Sequence, residues 1–291
     1  MGGQFTASAG FNNLTNGYFV PELFSLKLQA KYYASTCIAD ICNHDWEGEI
    51  KGKGDTVNIR VRPDITINDY EKGGGLTYQD IEDSRIQLLI DKGKYWAFKD
   101  DDVDRHQADI NFVNECTEDA AYQMKIAIEQ DLFQTVYSQV ASDNQMSSTV
   151  VTKTNVLDWL VDAQVLLNEA NVPESGRWAI LPPWICGMVM KSELKDASVM
   201  GDAKSILRGK GALGEIAGFT VYMNNNLYAP STTYHCLAGH PDFCSFASQF
   251  VKTELNLRLE NTFGCAHRGL KVYGYKVTKD DAGVYMPATK S

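Results

Sequence analysis

The sequence predicts an α+β fold with a mixed sheet, one unusually long helix and an extended ribbon ahead of it. Three observations carry this. Apolar residues recur at helical spacing across 108–141 without a Gly or Pro. Residues 57–61 and 86–98 change to a period of two. After 146, short helical and strand patterns alternate without a regular repeat, which is the pattern of a mixed sheet with packed helices.

Residues 1–20 are rich in Gly, Asn, Thr and Ser with a few aromatics, too little apolar surface to offset the entropy of ordering. Pro21-Glu22 opens a short helix, with Pro in its first turn and an acid at the positive dipole end. Leu23, Leu26, Ala30 and Tyr33 share one face of it. From Gly52, Val57, Ile59 and Val61 alternate with Asn58, Arg60 and Arg62, the mark of a half-exposed strand. Pro63 ends that strand, and Ile65 and Ile67 would extend the ribbon to the turn at Lys72-Gly73-Gly74-Gly75. Ile86, Leu88 and Ile90, then Tyr95, Trp96 and Phe98, form the return. An isolated two-stranded ribbon is marginal in water, so one this long should lie on something else.

In the long helix Ala121, Met124, Ile128, Leu132, Val136 and Val140 form the apolar stripe, with Glu118, Gln123, Lys125, Glu129 and Gln130 off it. Thirty residues of helix would span about 45 Å. Val156, Leu160, Ala163, Leu167 and Ala170 mark a second helix, capped near Thr154-Asn155 and closed by Asn171-Val172-Pro173. Trp178 to Leu181 reads as a short buried strand, and Pro183 starts a helix holding Ile185, Met188 and Val189. Further strands are expected at Phe219 to Tyr222, Tyr234 to Leu237, Leu255 to Leu259 and Leu270 to Val277.

Composition narrows the function. The chain has 291 residues, 27 basic against 37 acidic, a net charge of −10. A general grip on nucleic acid needs a basic face, so only a local patch could serve. The seven cysteines are scattered without a CxxC pair, which predicts reduced thiols in a reducing compartment. The start lacks the basic and apolar regions of a secretory signal, and no apolar run is long enough to span a membrane; membrane partners are not expected.

Chemical motifs are weak. Gly209-Lys210-Gly211-Ala212-Leu213-Gly214 matches GxGxxG, but the dinucleotide fingerprint needs a strand before it and a helix opening within it; a flexible loop fits better. His235, Cys236, His240 and Cys244, with Cys265 and His267 further on, are metal-ligand types without the paired spacing of a structural zinc site. Asp100, Asp102 and Asp104 open like a calcium loop, but Arg105 stands where its Gly belongs and Asn111 where its Glu belongs. No GxSxG, HExxH or Walker loop is present. No catalytic, cofactor-binding or metal residue is therefore assigned, and no enzyme activity is expected.

In order, these elements resemble the major capsid proteins of tailed bacteriophages, with the HK97 fold. The likeness lies in the arm and helix, the extended loop from Trp46 to Phe98, and the long helix at 111–141. It continues through 156–173 and 176–183. Gly214-Glu215-Ile216-Ala217-Gly218-Phe219-Thr220-Val221-Tyr222 with Asn224-Asn225-Asn226-Leu227 resembles that family's G-x-x-x-G-F-x-V-x-x-S-N-N-L strand, with Asn224 where Ser is common. Arg268 to Val277 resembles its closing strand.

The resemblance implies an N-terminal arm and helix over 1–36 and an extended β-hairpin loop over 48–98. It implies a peripheral domain with the spine helix from 37–47, 99–145 and 250–268, and an axial α/β domain from 146–249 and 269–291. It further implies a virion shell of hexamers and pentamers, assembled in the host bacterial cytoplasm around double-stranded DNA that is enclosed without sequence-specific binding. Scaffolding, portal and decoration proteins are the implied partners; the short arm suggests a separate scaffold or a segment already removed. The ribbon would lie across the neighbouring subunit, and the loop Met200 to Leu213 would sit mobile at the capsomer axis. Some members carry a Lys–Asn isopeptide, for which Lys72 and Asn261 would be the pair; no such cross-link is expected here. An encapsulin shell, or less readily a metabolic α/β enzyme, remains open as an alternative.

Overall fold

The structure is a computed structural model, and it describes residues 33–46, 56–61, 63, 65–70, 72, 73, 75, 78–80, 84–101, 111–192, 214–259 and 264–290. Residues Tyr33–Ser291 form one compact unit. The arm and its helix, Asp102 to Arg105, the loop 200–213 with most of the glycine motif, and Asn261 lie outside the described residues.

The described residues hold four α-helices: α1 (Ile38–Ile41), α2 (Asn111–Val136), α3 (Val156–Glu169) and α4 (Pro183–Lys191). Eleven strands accompany them: β1 (Thr56–Val61), β2 (Ser84–Leu89), β3 (Lys92–Asp101), β4 (Thr149–Val150), β5 (Trp178–Leu181), β6 (Glu215–Ile216), β7 (Phe219–Met223), β8 (Thr233–Gly239), β9 (Cys244–Arg258), β10 (Gly264–Val277) and β11 (Gly283–Thr289). They form the ribbon β1-β2, a three-stranded sheet β3-β10-β9, and a six-stranded sheet β4-β11-β8-β5-β7-β6. The larger sheet is mixed, because β5 runs parallel to β7 and antiparallel to β8.

Strand β5 is buried along its whole length, as expected of a central strand covered on both faces. It shares one hydrophobic core with Val156, Leu160, Ala163 and Leu167 of α3, Ile185 and Val189 of α4, and Ile128, Leu132, Phe133 and Val136 of α2. Helix α3 ends in a Schellman motif. Asn171 adopts a left-handed φ of 56°, and Val172 N–H donates to the Leu167 carbonyl at 3.0 Å. At the other end, Asn155 does not cap forward. Its Oδ1 accepts from the Thr152 N–H instead, at 2.7 Å.

Three sequence expectations change. Tyr95, Trp96 and Phe98 are not the ribbon's return but lie on β3, opposite Leu270, Gly269 and His267 of β10. The chain leaves the ribbon at Ile90-Asp91 and enters the other sheet, where Gly269 leaves space for the Trp96 indole. Ile65 and Ile67 lie outside any strand, so the ribbon's paired part stops at Val61 and Ser84. The long helix also ends earlier than its pattern: Tyr137 to Gln139 tighten into a 3₁₀ turn, while Val140 stays buried beyond it.

The two larger sheets are joined without linkers. Strand β8 passes through the 3₁₀ turn Pro241–Phe243 directly into β9, and β10 passes through Asp280–Ala282 into β11. The sequence-implied domain borders at 249/250 and 268/269 thus fall inside continuous strands.

The ribbon is anchored at its base. Val57, Leu88 and Ile90 form a small second core with Ala247, against which Trp46, Ile59 and Val272 pack. Beside it the backbones approach so closely that a Cβ on Gly274 would collide with the Leu89 carbonyl. Gly274→Ala must therefore displace main chain, not a yielding side chain. The variant is expected to lose about 2–3 kcal/mol, and hydrogen exchange should rise selectively at 57–61 and 86–90.

Candidate functional site

The side chains that looked like metal ligands face different partners. His235 Nδ1 shares a 2.6 Å hydrogen bond with the Tyr285 hydroxyl and sits among the rings of Tyr137, Tyr228 and Tyr285; burial pushes its pKa down. Cys236 is fully buried, and that burial pushes its thiol up. His240 Nδ1 accepts from the Asp242 N–H. His267 bonds Asp100 at 3.1 Å and stacks on Phe98. Among the described residues no three His, Cys, Asp or Glu side chains group around a common point. What the fold does build is a pair of internal polar clusters and an outer ribbon with exposed apolar side chains.

The first cluster centres on Glu129, which is fully buried despite lying off the predicted apolar stripe. Its Oε1 accepts the Cys37 N–H at 2.6 Å, and its Oε2 accepts the side-chain amide of Asn224 at 3.0 Å and that of Asn226. Asn226 N–H in turn donates to Asn224 Oδ1, and the Asn226 amide reaches the Ser35 carbonyl. A buried carboxylate is tolerable when such donors replace its water. These bonds join the middle of α2, the segment before α1 and the turn after β7. Burial first, then the Glu129 charge, pushes the Cys37 thiol up. The Asn-x-Asn run after β7 is thereby explained as a clamp on the long helix.

The second cluster fastens the same helix to the smaller sheet. Asp131 Oδ2 accepts from Lys92 Nζ at 3.1 Å and from the Tyr273 hydroxyl at 3.0 Å, while the Tyr275 hydroxyl donates to the Asp131 carbonyl at 2.9 Å. Lys92 Nζ also lies 4.1 Å from the Tyr275 ring centre. Burial alone would raise the Asp131 carboxyl, but the bonds from Lys92, Tyr273 and Tyr275 outweigh it and hold the group below its ordinary range. A depressed carboxyl stabilises the fold above its unfolded pKa, and that contribution is lost as pH falls through the folded value. Asp131→Asn should cost about 1–2 kcal/mol at pH 7. Urea midpoints of the variant and the unaltered protein should converge as pH drops below about 4.

At the ribbon's outer end Thr66 N–H donates to Gln79 Oε1 at 2.9 Å, while the large apolar side chains described there are bare. Ile65, Ile67, Tyr70 and Tyr78 are 69%, 90%, 78% and 86% exposed. On its outer face Arg60 stands directly opposite Arg85, both exposed. Like charges paired this way destabilise a ribbon unless an acidic surface meets them. Scattered apolar residues on a surface need no explanation, but clustered ones mark contact surfaces. Sequence reading located the ribbon; it missed the Arg60–Arg85 pairing, which requires the register.

No protein-family model matches the chain, and no curated protein matches it. Solved structures do. A chain from Mycobacterium phage Che8 is 26% identical, with a TM-score of 0.80 over 95% of this chain and 98% of that one. A chain of the capsid of cyanophage P-SCSP1u is 13% identical, with a TM-score of 0.75 over 93% of each. One from the capsid of a native GTA particle is 13% identical, with a TM-score of 0.70 over 95% and 97%. The phage capsid fold therefore extends over nearly the whole chain.

Proposed function

We propose that this chain, a phage capsid shell protein, is the major head subunit of a tailed phage and closes an icosahedral shell from hexamers and pentamers of itself. The observation that carries this reading is the ribbon. It is anchored at Val57 and Leu88, yet it presents bare aromatic and aliphatic side chains and paired arginines further out. A neighbouring copy of the chain, with its net charge of −10, supplies both an apolar and an acidic counter-surface. The likeness to phage and GTA capsid structures over whole chains supports the same reading.

In this reading the three-stranded sheet with α2 forms the peripheral domain and the six-stranded sheet the axial domain. The Glu129 clamp and the two strand crossings at 240–243 and 278–282 hold these two parts together. The acidic balance suits a shell that encloses double-stranded DNA without gripping it. Scaffold, portal and decoration proteins are its expected partners, and the host bacterial cytoplasm is its place of assembly. Holding power comes from many modest contacts repeated in a closed lattice. Particles should accordingly fall to monomers in a denaturing gel without reductant.

Sedimentation of the purified protein tests this, followed by negative-stain imaging of the fast fraction. Polyhedral particles, or rings of five and six copies, are expected. A sample holding only monomers and dimers would count against the proposal.

A further inference from the structure

Cys42 and Cys244 are far apart in sequence and adjacent in space. Asn43 and Ser245 form a parallel bridge, in which Asn43 N–H donates to the Cys244 carbonyl at 2.9 Å and Phe246 N–H donates to the Asn43 carbonyl at 3.0 Å. That register sets the preceding residues, Cys42 and Cys244, opposite each other with side chains on one face. Neighbouring strands lie about 4.7–4.9 Å apart, inside the Cα separation of roughly 4.4–6.8 Å that a disulfide spans. Both thiols are buried, and the Cys42 thiol is hydrogen-bonded to Cys244. The other neighbouring thiols differ: Cys186 and Cys236 lie on α4 and β8, and Cys186 Sγ donates to the Leu181 carbonyl.

We propose that Cys42 and Cys244 are a modification site, closing to an intrachain disulfide when the protein meets hydrogen peroxide. One thiolate attacks a peroxide oxygen, giving a sulfenic acid and releasing one water once the departing hydroxide takes up a proton. The second thiolate then attacks the sulfenic sulfur, expelling hydroxide that leaves as a second water. Two thiols and one peroxide thus become one disulfide and two waters. The hydrogen bond to Cys244 and burial favour the protonated Cys42 thiol, so the reaction is slow and follows local opening. The product staples the segment after α1 to the first residue of β9 and closes a loop of about 200 residues. Resting on the proposed function, its use is to stiffen a shell that is built in a reducing cytoplasm and released into an oxidising medium.

The test treats particles and free subunits with hydrogen peroxide, denatures them, alkylates the remaining thiols, and reads intact mass and a peptide map. Untreated protein should take seven alkyl groups, one for each cysteine. Treated protein should take five, with Cys42 and Cys244 in one linked peptide. Its melting temperature should rise by about 5 °C or more and return with reductant. Cys42→Ser and Cys244→Ser should each keep all their thiols alkylatable and show no rise. A map of the treated wild type in which Cys42 and Cys244 remain separate overturns the proposal, whether or not another pair has closed. That map decides the matter even if a variant fails to fold. Free subunits should form the bond as well, so a protein that never assembles would sink the shell reading and leave the disulfide standing.

Discussion

Replacing residues 68–80 with a tight turn is expected to abolish shell closure while leaving a soluble, folded subunit. The removed segment carries Tyr70 and Tyr78, both largely exposed, and none of its described residues belongs to either hydrophobic core. The anchor of the ribbon at Val57, Leu88 and Ile90 stays in place, so thermal unfolding of the subunit should shift by no more than about 1 kcal/mol. Assembly should suffer out of proportion, because each copy loses the same contact and a closed lattice multiplies the loss. Circular dichroism and sedimentation together read the two effects. Full-sized particles of unchanged stability would place the holding contacts elsewhere.

Glu129→Ala should be the most damaging single substitution in the subunit itself. It leaves the Cys37 N–H and the amides of Asn224 and Asn226 buried without the acceptor they share. An unmade buried bond costs about 1–3 kcal/mol, and several in one network place the loss at roughly 3–5 kcal/mol. That is a large share of a typical stability of about 5–15 kcal/mol. Glu129→Gln keeps the shape but turns an amide N–H₂ toward donors, so it should recover only part of the loss. Urea unfolding checks both. A midpoint for Glu129→Ala within error of the parent would show that the clamp holds nothing.

The elements that were legible are those whose signal is local. The stripe of α2 from Ile128 to Val136, the buried run of β5, the Pro183 start of α4 and the Asn171 stop of α3 all follow from spacing and cap chemistry within a few residues. Strand β11 was not legible: Pro287 interrupts its pattern, and Pro inside a run argues against a strand. In the fold its partners β8 and β4 define it. The ribbon was overextended for a related reason, since alternation alone does not say which strand a segment pairs with. Trp96 pairs with Gly269, more than 150 residues away.

Glu129 illustrates the same limit at the site. Its charge set it off the apolar stripe, although Leu132, Phe133 and Val136 lie three, four and seven residues on, and Asn224 and Asn226, brought from a distant turn, make its burial tolerable. The Asn-x-Asn run was visible as a likeness; its task was not. Cys42 and Cys244 likewise become a pair only through the bridge at Asn43 and Ser245. The fold class was therefore carried by local pattern, whereas the joints that hold its parts together depend on long-range register.

The most direct test of the account is a single-particle reconstruction of the assembled protein at side-chain resolution. Five- and six-fold rings are expected, in which the outer ribbon face, with Arg60 and Arg85, and the exposed Ile67 and Tyr78 are covered by an adjacent copy. A shell in which that ribbon lies against its own subunit, or in solvent with no neighbour within contact distance, would contradict it.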